Sequence, residues 1–217
     1  MPQRKPTRSR KPPTKPRKSA SQARSRLTVD ALLEATARIL VKEGYDRAST
    51  NKIAMTAGVS IGSLYQYFPS KEALVSAVVD RHTREMAGEV REALDRMASW
   101  PVETAARALI AAMIEAHRVA PQLHRILEEQ VPRVGRLENI KALDREIHAA
   151  VRAYLATHAN EHRADDHDLA AFVCVTAVEA LTHAAVLQRP ELLSRERAGM
   201  FIDEVTRLIV GYLQPKR

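Results

Sequence analysis

Residues 60–67 form a cluster of short hydrogen-bonding side chains with no negative charge. The cluster combines hydroxyl groups, an amide and a glycine with one isoleucine: Ser60, Ile61, Gly62, Ser63, Tyr65, Gln66 and Tyr67. Such groups suit phosphate oxygens and base edges. Thr50 and Asn51 begin a preceding helix, where a hydroxyl and unpaired backbone N–H groups can meet a phosphate. Lys71 adds a positive charge on the other side, so the pattern predicts a nucleic-acid contact surface.

The aromatic residues of this segment also have a second interpretation. Tyr65 and Tyr67 could be ordinary packing residues, as we expect Tyr45 and Phe68 to be. We favour DNA contact for Tyr67 and Lys71. Contact and packing remain equal alternatives for Ile61.

Two short helices joined by a tight turn must position these groups. We predict the first at 50–57 and the second at 61–67, with Gly58 supplying the positive φ of the turn and Pro69 ending the second. The residues that can hold the two helices together are apolar: Ile53, Ala54, Ala57, Val59, Leu64 and Phe68. This arrangement is the plan of a DNA-reading helix-turn-helix.

The rest of the chain shows helical periodicity and no alternating pattern of useful length. We predict a helix from an N-cap at Thr28 to a stop at Gly44. Further helices are predicted at 71–98, 102–119, 122–131, 137–159, 167–188 and 195–213. The fold class is therefore all-α, with a three-helix helix-turn-helix domain over residues 27–80 and a second helical domain over 81–217.

The net charge of +8 is distributed unevenly. Residues 1–26 contain ten basic residues, five prolines and no acid, whereas 27–80 contain five basic and six acidic residues. A segment with so little apolar surface does not offset its ordering entropy. We predict a disordered basic arm over 1–26. The arm either contacts DNA phosphates or a minor groove, or only aids solubility.

Part of the sequence resembles a known protein family. Three segments carry the resemblance: Gly44-Tyr45-Asp46, Thr50-Asn51-Lys52-Ile53-Ala54, and Gly58 to Leu74, which includes Tyr65-Gln66-Tyr67-Phe68-Pro69-Ser70-Lys71. They are similar to the DNA-binding signature of the TetR family of bacterial repressors, and the likeness covers about residues 28–80. The basic arm is longer than that of a typical member.

The resemblance implies roles for individual positions. It implies operator contacts at Thr50, Ser63, Tyr65, Tyr67 and Lys71. It places Ile61, Gly62 and Gln66 on the groove-facing surface, while Leu64 and Phe68 pack inward. It also implies a cytoplasmic homodimer with a helical C-terminal domain that binds a small-molecule effector. Two recognition helices then read half-sites roughly 34 Å apart on double-stranded operator DNA.

The effector pocket and the dimer interface can be assigned only from residue type and spacing. Pocket candidates are large, polarizable or polar residues of the predicted helices: Met86, Met97, Trp100, Met113, His117, Tyr154, Phe172, Cys174 and Glu179. Each is also a plausible core residue. The few charges in this region favour an apolar or amphipathic effector. Interface candidates come from the last two helices: Phe172, Ala177, Ala180, Ala184, Phe201, Val205, Leu208 and Tyr212.

Helix 167–188 is apolar on every side, with Glu179 as the one charge between Leu169 and Leu187. We expect it to be buried on all faces at a subunit interface. A membrane span is the alternative, because the apolar stretch approaches spanning length. Glu179 and His183 lie inside that stretch and disfavour the span.

Catalytic and cofactor motifs are not found. The sequence has no phosphate-binding loop, dinucleotide-binding glycine pattern, G-x-S-x-G or H-E-x-x-H. No catalytic set can be assembled around Cys174, the single cysteine, so we predict neither an enzyme nor a cofactor. A metal site at His158, His162 and His167 is a weaker alternative to a polar connection between helices, and no metal is predicted.

Two functions remain open from the sequence. The first is a repressor released from its operator by an effector, with helix 71–98 linking the two domains. The second is a sequence-indifferent architectural DNA-binding protein dominated by the basic arm.

Overall fold

A computed structural model describes residues 23–131 and 137–214, and these fold as α-helices with no strand among them. The helices are α1 Ala23–Glu43, α2 Thr50–Ala57, α3 Ile61–Tyr67, α4 Lys71–Met97, α5 Val102–Arg118, α6 Pro121–Glu129, α7 Leu137–Thr157, α8 His167–Gln188 and α9 Ala198–Leu213. Short 3-10 turns lie at Ala159–Glu161 and Pro190–Leu193. The all-α prediction is confirmed, with the helix-turn-helix at the N-terminal side.

The first helix begins earlier than predicted. α1 starts at Ala23, so Thr28 lies inside the helix and is not its N-cap. No proline lies between Pro16 and residue 28, and the alanine, arginine and leucine residues before Thr28 are good helix formers, so nothing stops the helix at residue 28. The last four residues of the predicted disordered arm are therefore helical. The rest of the arm, residues 1–22, lies outside the described residues.

The N-terminal unit, Met1–Val79, has a core where α1, α2 and α3 meet. Leu32, Leu40, Ile53 and Leu64 are fully buried there. Burying side chains of this size contributes about 1.5–3 kcal/mol each, which holds the three helices together.

Helix ends in this unit follow local chemistry. The Ser49 side chain accepts a hydrogen bond from the Lys52 N–H and caps α2, and Ser60 caps α3 by accepting from the Ser63 N–H at 3.1 Å. Gly58 ends α2 in the left-handed conformation, with φ 69°. Phe68 is extended before Pro69, because the proline disfavours helical backbone in the residue before it. Together these signals set the lengths of α2 and α3.

The C-terminal unit, Asp80–Arg217, is a helical bundle in which α5 packs against α9 and α8, and α7 packs against α8. Its core includes Ile110, Ile114 and Leu155, which are almost completely buried. α4 belongs to both units, since it begins at Lys71 and ends at Met97.

In the single chain α8 is buried on one side only, so its burial at a subunit interface stays a prediction. One side, including Cys174 and Val178, faces the core. The other side exposes Leu169 and Phe172, which are 55% and 54% accessible. α8 is long and apolar enough to cross a membrane, but a core helix of a soluble protein meets the same criterion. Burial of its inner face is what a core helix shows.

Candidate nucleic-acid interface and apolar cavity

The surface of α3 divides into an inner and an outer face. Leu64 and Phe68 point inward and are buried. Ile61, Tyr65 and Gln66 point outward and are exposed. The outer face has the residue types expected to meet a DNA groove.

A hydroxyl pair links the two helices of the motif on this outer side. Thr50 Oγ1 lies 3.1 Å from the Tyr65 hydroxyl oxygen, and either group can be the donor. At the start of α3, the Ser60 and Ser63 hydroxyls lie 2.9 Å apart. Each pair can still offer hydrogen bonds outward, because a hydroxyl is both a donor and an acceptor.

Two smaller residues complete the surface. Asn51 is exposed on α2. Gly62 is exposed on α3, and a Cβ placed there would meet only the Ser60 hydroxyl, at 3.9 Å. Gly62 therefore keeps the α3 backbone open to close approach, and this absence of bulk suits a phosphate or base edge.

Tyr67 is buried, contrary to the expectation that it faces DNA. Its side chain is only 8% exposed, and its hydroxyl donates to Ser25 Oγ at 3.2 Å. Tyr67 follows the buried Leu64 by three residues, and residues at that spacing share one face of a helix. The ring therefore packs between α3 and α1, and the expectation that Tyr67 presents itself to DNA is not supported.

Lys71 is held by contacts within the chain. Its Nζ donates to the Tyr45 carbonyl oxygen at 3.0 Å and lies 4.1 Å from the centre of the Tyr45 ring. Burial, and next the nearby Glu72, raise the pKa of the Tyr45 hydroxyl. An ammonium group has three N–H donors, so these contacts with Tyr45 position the charge of Lys71 without using all of its donors.

A small apolar cavity lies in the C-terminal unit between α4, α5, α7, α8 and α9. Four of the predicted pocket residues line it: Met97, Met113, Tyr154 and Cys174. The other lining residues are apolar: Val102, Ala105, Ala106, Leu109, Ile110, Ile147, Val151, Leu155, Val175, Val178, Ile209 and Leu213. The sequence does not reveal this cavity, because the same apolar residues also form a filled core.

The polar groups at the cavity are already engaged or uncharged. The Tyr154 hydroxyl donates to the Trp100 carbonyl oxygen at 2.6 Å. Burial, with a smaller contribution from Glu161, raises the pKa of Tyr154 to about 12. Burial also raises the pKa of the Cys174 thiol to about 11. The cavity is therefore suited to an apolar occupant, or to the apolar part of an amphipathic one.

Five predicted pocket residues lie outside the cavity lining. Met86 and Trp100 pack against the core as half-buried residues. Phe172 is exposed on the outer side of α8, opposite Cys174. Glu179 pairs with Asp144, and burial followed by the Asp144 charge raises the pKa of Glu179 to about 7.

His117, the fifth of these residues, is buried one turn along α5 from Met113. Its Nδ1 lies 2.7 Å from the Met113 carbonyl oxygen. Burial lowers the pKa of His117 to about 4, so the imidazole is neutral at physiological pH. Its ring packs against other histidines rather than lining the cavity.

The histidines of the 158–167 segment do not come together as a group of three ligands. His162 uses both ring nitrogens, with Nε2 at 2.9 Å from the Leu155 carbonyl oxygen and Nδ1 accepting from the Ala164 N–H. His158 Nδ1 lies 3.0 Å from the Tyr154 carbonyl oxygen. Asp166 caps α8 by accepting from two backbone N–H groups at its start. The segment is a polar connection between α7 and α8.

The predicted interface residues differ in exposure. Phe172, Ala180 and Leu208 are exposed, whereas Ala177, Ala184, Phe201 and Tyr212 are half-buried. Val205 is buried in the core, so its assignment to an exposed interface is wrong. It lies three residues after Ile202 and four before Ile209, on the inner face of α9.

Two family models match the chain. Residues 32–78 match the model for bacterial regulatory proteins of the tetR family. Residues 101–213, about half of the chain, match the model described as tetracyclin repressor-like, C-terminal domain. The chain belongs to the TetR family. The α2–α3 motif is its DNA-binding helix-turn-helix, and the protein is a DNA-binding transcriptional regulator.

Relatives described as HTH-type transcriptional regulators align over part of this chain. The HTH-type transcriptional regulator Rv1255c of Mycobacterium tuberculosis is 39% identical over 70 residues, which cover 32% of this chain and 35% of the relative. The HTH-type transcriptional activator FasR of Mycolicibacterium smegmatis is 44% identical over 63 residues, 29% of each chain. These matches span about a third of each relative.

Solved structures extend the likeness to the whole fold. A TetR-family regulator from Mesorhizobium loti matches 89% of this chain and 100% of its own, with a TM-score of 0.68 and 17% identity. The fatty acid degradation regulator FadR of Bacillus halodurans matches 87% and 97%, with a TM-score of 0.65 and 18% identity. A complex of SmeT with triclosan matches 88% and 96%, with a TM-score of 0.61 and 23% identity. At these identities the likeness shows the TetR fold.

Proposed function

We propose that this TetR-family protein is a cytoplasmic transcriptional repressor that a small apolar or amphipathic effector releases from its operator. The observation that carries the proposal is the combination, in one chain, of an outward hydroxyl surface on α2 and α3 with an apolar cavity in the C-terminal unit. A protein that only coated DNA would have no use for such a cavity. The names of SmeT with triclosan and of the fatty acid degradation regulator FadR are consistent with an apolar effector.

Recognition would depend on α3. Tyr65, Ser63 and Gln66 would contact base edges and phosphates, with Thr50 and Asn51 at the adjoining end of α2. Lys71 would add a phosphate contact while its ammonium group stays in contact with Tyr45. Because residues 27–80 carry almost no net charge, specificity would come from these neutral donors and acceptors.

Coupling would run through α4. This helix begins at Lys71 and ends at Met97, and Met97 lines the cavity. An occupant that favours one position of Met97 would thereby favour one position of the helix. The effector can shift the DNA-binding equilibrium only by its difference in affinity for the two states.

A homodimer would present two α3 helices to two half-sites. The exposed apolar residues Leu169 and Phe172 on α8 and Leu208 on α9 would be covered by the second copy. Phe172→Glu should convert the dimer to a monomer in sedimentation velocity, because it would bury a charge in an apolar interface. Ile61→Glu, an exposed apolar residue of the other unit, is the matched control and should leave the dimer intact.

Operator specificity can be tested without knowing the regulated genes. Binding sequences are selected from a random duplex library, and fluorescence anisotropy is measured on the selected duplex and on a scrambled one. The full chain is compared with a chain lacking residues 1–22, which leaves α1 whole. We expect the truncation to weaken binding to the scrambled duplex more than to the selected one. Equal loss on both would favour the arm-dominated, sequence-indifferent function instead.

A further inference from the structure

Four histidines from four different helices meet inside the C-terminal unit. They are His82 on α4, His117 on α5, His124 on α6 and His183 on α8. The ring centres of His117 and His124 lie 4.6 Å apart, those of His117 and His183 5.1 Å, and those of His124 and His183 5.3 Å. We call His117, His124 and His183 the histidine triad.

The triad brings one ring nitrogen of each histidine close to the other two. One ring nitrogen from each residue lies within 4.8 Å of the others. His117 and His124 are buried, with 2% and 5% of their surface exposed, and His183 is half-buried. An apolar residue would fill such a position at less cost, since a buried polar ring must find a partner.

The His117 ring is arranged as a metal ligand. Because a carbonyl oxygen only accepts, His117 Nδ1 carries the proton and donates to Met113. The lone pair is then on Nε2, which is buried and has no hydrogen-bond partner among the described residues. Histidines that bind metals commonly donate their other ring N–H to a backbone carbonyl in this way, which fixes the tautomer and the ring orientation.

His82 supports the second ligand. Its Nε2 lies 3.2 Å from His124 Nδ1, so one of these nitrogens donates to the other. The contact holds the His124 ring in place from the α4 side. His82 is therefore a positioning residue rather than a fourth ligand.

We propose that the histidine triad binds a single transition-metal ion of the zinc, cobalt or nickel type. An ion about 2.0–2.1 Å from three nitrogens in tetrahedral geometry needs nitrogen separations of about 3.3 Å. The triad reaches this from at most 4.8 Å by small rotations of its side chains. Three imidazoles suit these ions and do not suit magnesium or calcium, which prefer oxygen ligands.

A pair of hydrogen-bonded carboxyl groups lies near His183. Asp144 on α7 interacts electrostatically with His183 and hydrogen-bonds to Glu179, which precedes His183 by one helical turn. The fourth coordination position is left to water. The site adjoins the apolar cavity through Met113, which lines the cavity with its side chain and accepts from His117 with its carbonyl.

The test uses the full chain without an affinity tag, stripped with a chelator and dialysed. Zn²⁺ binding is followed by calorimetry, and Co²⁺ binding by visible absorption, which reports tetrahedral coordination. We expect one equivalent of either ion. His183→Gln should weaken binding at least tenfold, and His82→Gln should weaken it less. His167→Gln, a half-buried histidine at the start of α8 and outside the triad, is the matched control and should bind as the wild type does.

Folding is checked separately by helical circular dichroism of each stripped variant. His183 is half-buried, so its glutamine variant is the one expected to stay folded even if His117→Gln does not. The proposal is overturned if the stripped wild type takes up less than a tenth of an equivalent, which would leave the triad a packing cluster. It is equally overturned if folded His183→Gln binds Zn²⁺ as tightly as the wild type. Neither result depends on DNA binding, so the repressor proposal stands or falls independently.

Discussion

Thr50 on α2 and Tyr65 on α3 join their hydroxyl groups across the helix-turn-helix at a distance of 3.1 Å. The two residues are fifteen positions apart, and their pairing places two neutral hydrogen-bonding groups side by side on the outer surface. A phosphate oxygen approaching this pair would meet two hydroxyl groups that are held side by side. The pair therefore links the geometry of the motif to the way it would bind DNA.

The first prediction concerns this pair. Tyr65→Phe and Thr50→Val should each lower operator affinity about 5- to 10-fold, because each removes roughly one hydrogen bond of about 1–1.5 kcal/mol. The double variant should lose less than the sum, since the two groups share one interaction. Fluorescence anisotropy on the selected duplex measures the affinities. The melting temperature should hardly change, because surface substitutions of this kind cost less than about 0.5 kcal/mol.

Unchanged affinity of Tyr65→Phe would show that the Tyr65 hydroxyl does not contact DNA. A fall in melting temperature parallel to the loss of affinity would instead assign the pair a structural role.

The second prediction follows from the burial of Tyr67. Tyr67→Ala should destabilise the N-terminal unit by about 3 kcal/mol, as truncation of a buried aromatic residue does. Tyr67→Phe keeps the ring and loses only the bond to Ser25 Oγ, so it should cost about 1 kcal/mol. Urea denaturation measures both. If Tyr67→Phe were as stable as the wild type yet bound DNA tenfold more weakly, the hydroxyl would be a DNA contact after all.

The third prediction concerns the charge of Lys71. Lys71→Gln should weaken binding to selected and scrambled duplexes by similar factors, because a phosphate contact carries no sequence information. The slope of log affinity against log salt concentration should fall by about 1. Lys52→Gln is the matched control, since Lys52 Nζ is paired with Glu43 at 2.5 Å. An unchanged salt slope for Lys71→Gln would mean that Lys71 serves only to hold Tyr45.

The ends of most helices are specified by residues close to them in the sequence. Pro101, Pro121 and Pro190 mark breaks, and the six helices predicted beyond residue 70 agree with the structure to within three residues at each end. α1 is the exception: Thr28 is a good capping residue, but helix formers continue before it and the helix begins at Ala23. Local signals specify an end only where something stops the helix.

Assignments that depend on which way a side chain faces were less certain. Tyr67 has the composition of a DNA contact, but its spacing from Leu64 already indicates the buried face. Val205 likewise repeats with Ile202 and Ile209 on the inner face of α9. In both cases the helical spacing indicates the inner face, whereas the residue type by itself suggests the outer one.

Tertiary sites were not predictable from local pattern. The histidine triad comes from three helices at positions 117, 124 and 183, and this spacing has no motif. The cavity lining is almost entirely apolar, so a residue such as Val151 cannot be distinguished from filled core before the helices are assembled. Such sites form only when residues from several helices are brought together by packing.

The fourth prediction concerns the thiol of Cys174, the single cysteine of the chain. Burial raises its pKa to about 11 from an ordinary value of 9.0. At pH 8 only about one molecule in a thousand would carry the reactive thiolate. A disulfide reagent such as dithionitrobenzoate should therefore react at least a hundredfold more slowly with the native protein than with the protein in guanidinium chloride. Comparable rates would mean that the cavity wall is open to solvent.

The last prediction tests the cavity as the effector site. Ala106 lines the cavity and is half-buried, so Ala106→Met would fill space that the wild type leaves to a ligand. An apolar fluorescent probe, N-phenyl-1-naphthylamine, should bind the wild type and bind the variant at least tenfold more weakly. Ala153→Met, on the exposed side of α7, adds the same side chain outside the cavity and should bind the probe normally.

The same variants connect the cavity to DNA. The probe should lower the operator affinity of the wild type and of Ala153→Met, and it should have no effect on Ala106→Met at the same concentration. By linkage, operator DNA should weaken probe binding by the same factor. Probe binding that leaves operator affinity unchanged would separate the cavity from regulation. If the probe lowered the operator affinity of the wild type and of Ala106→Met equally, the effector site would lie elsewhere in the C-terminal unit.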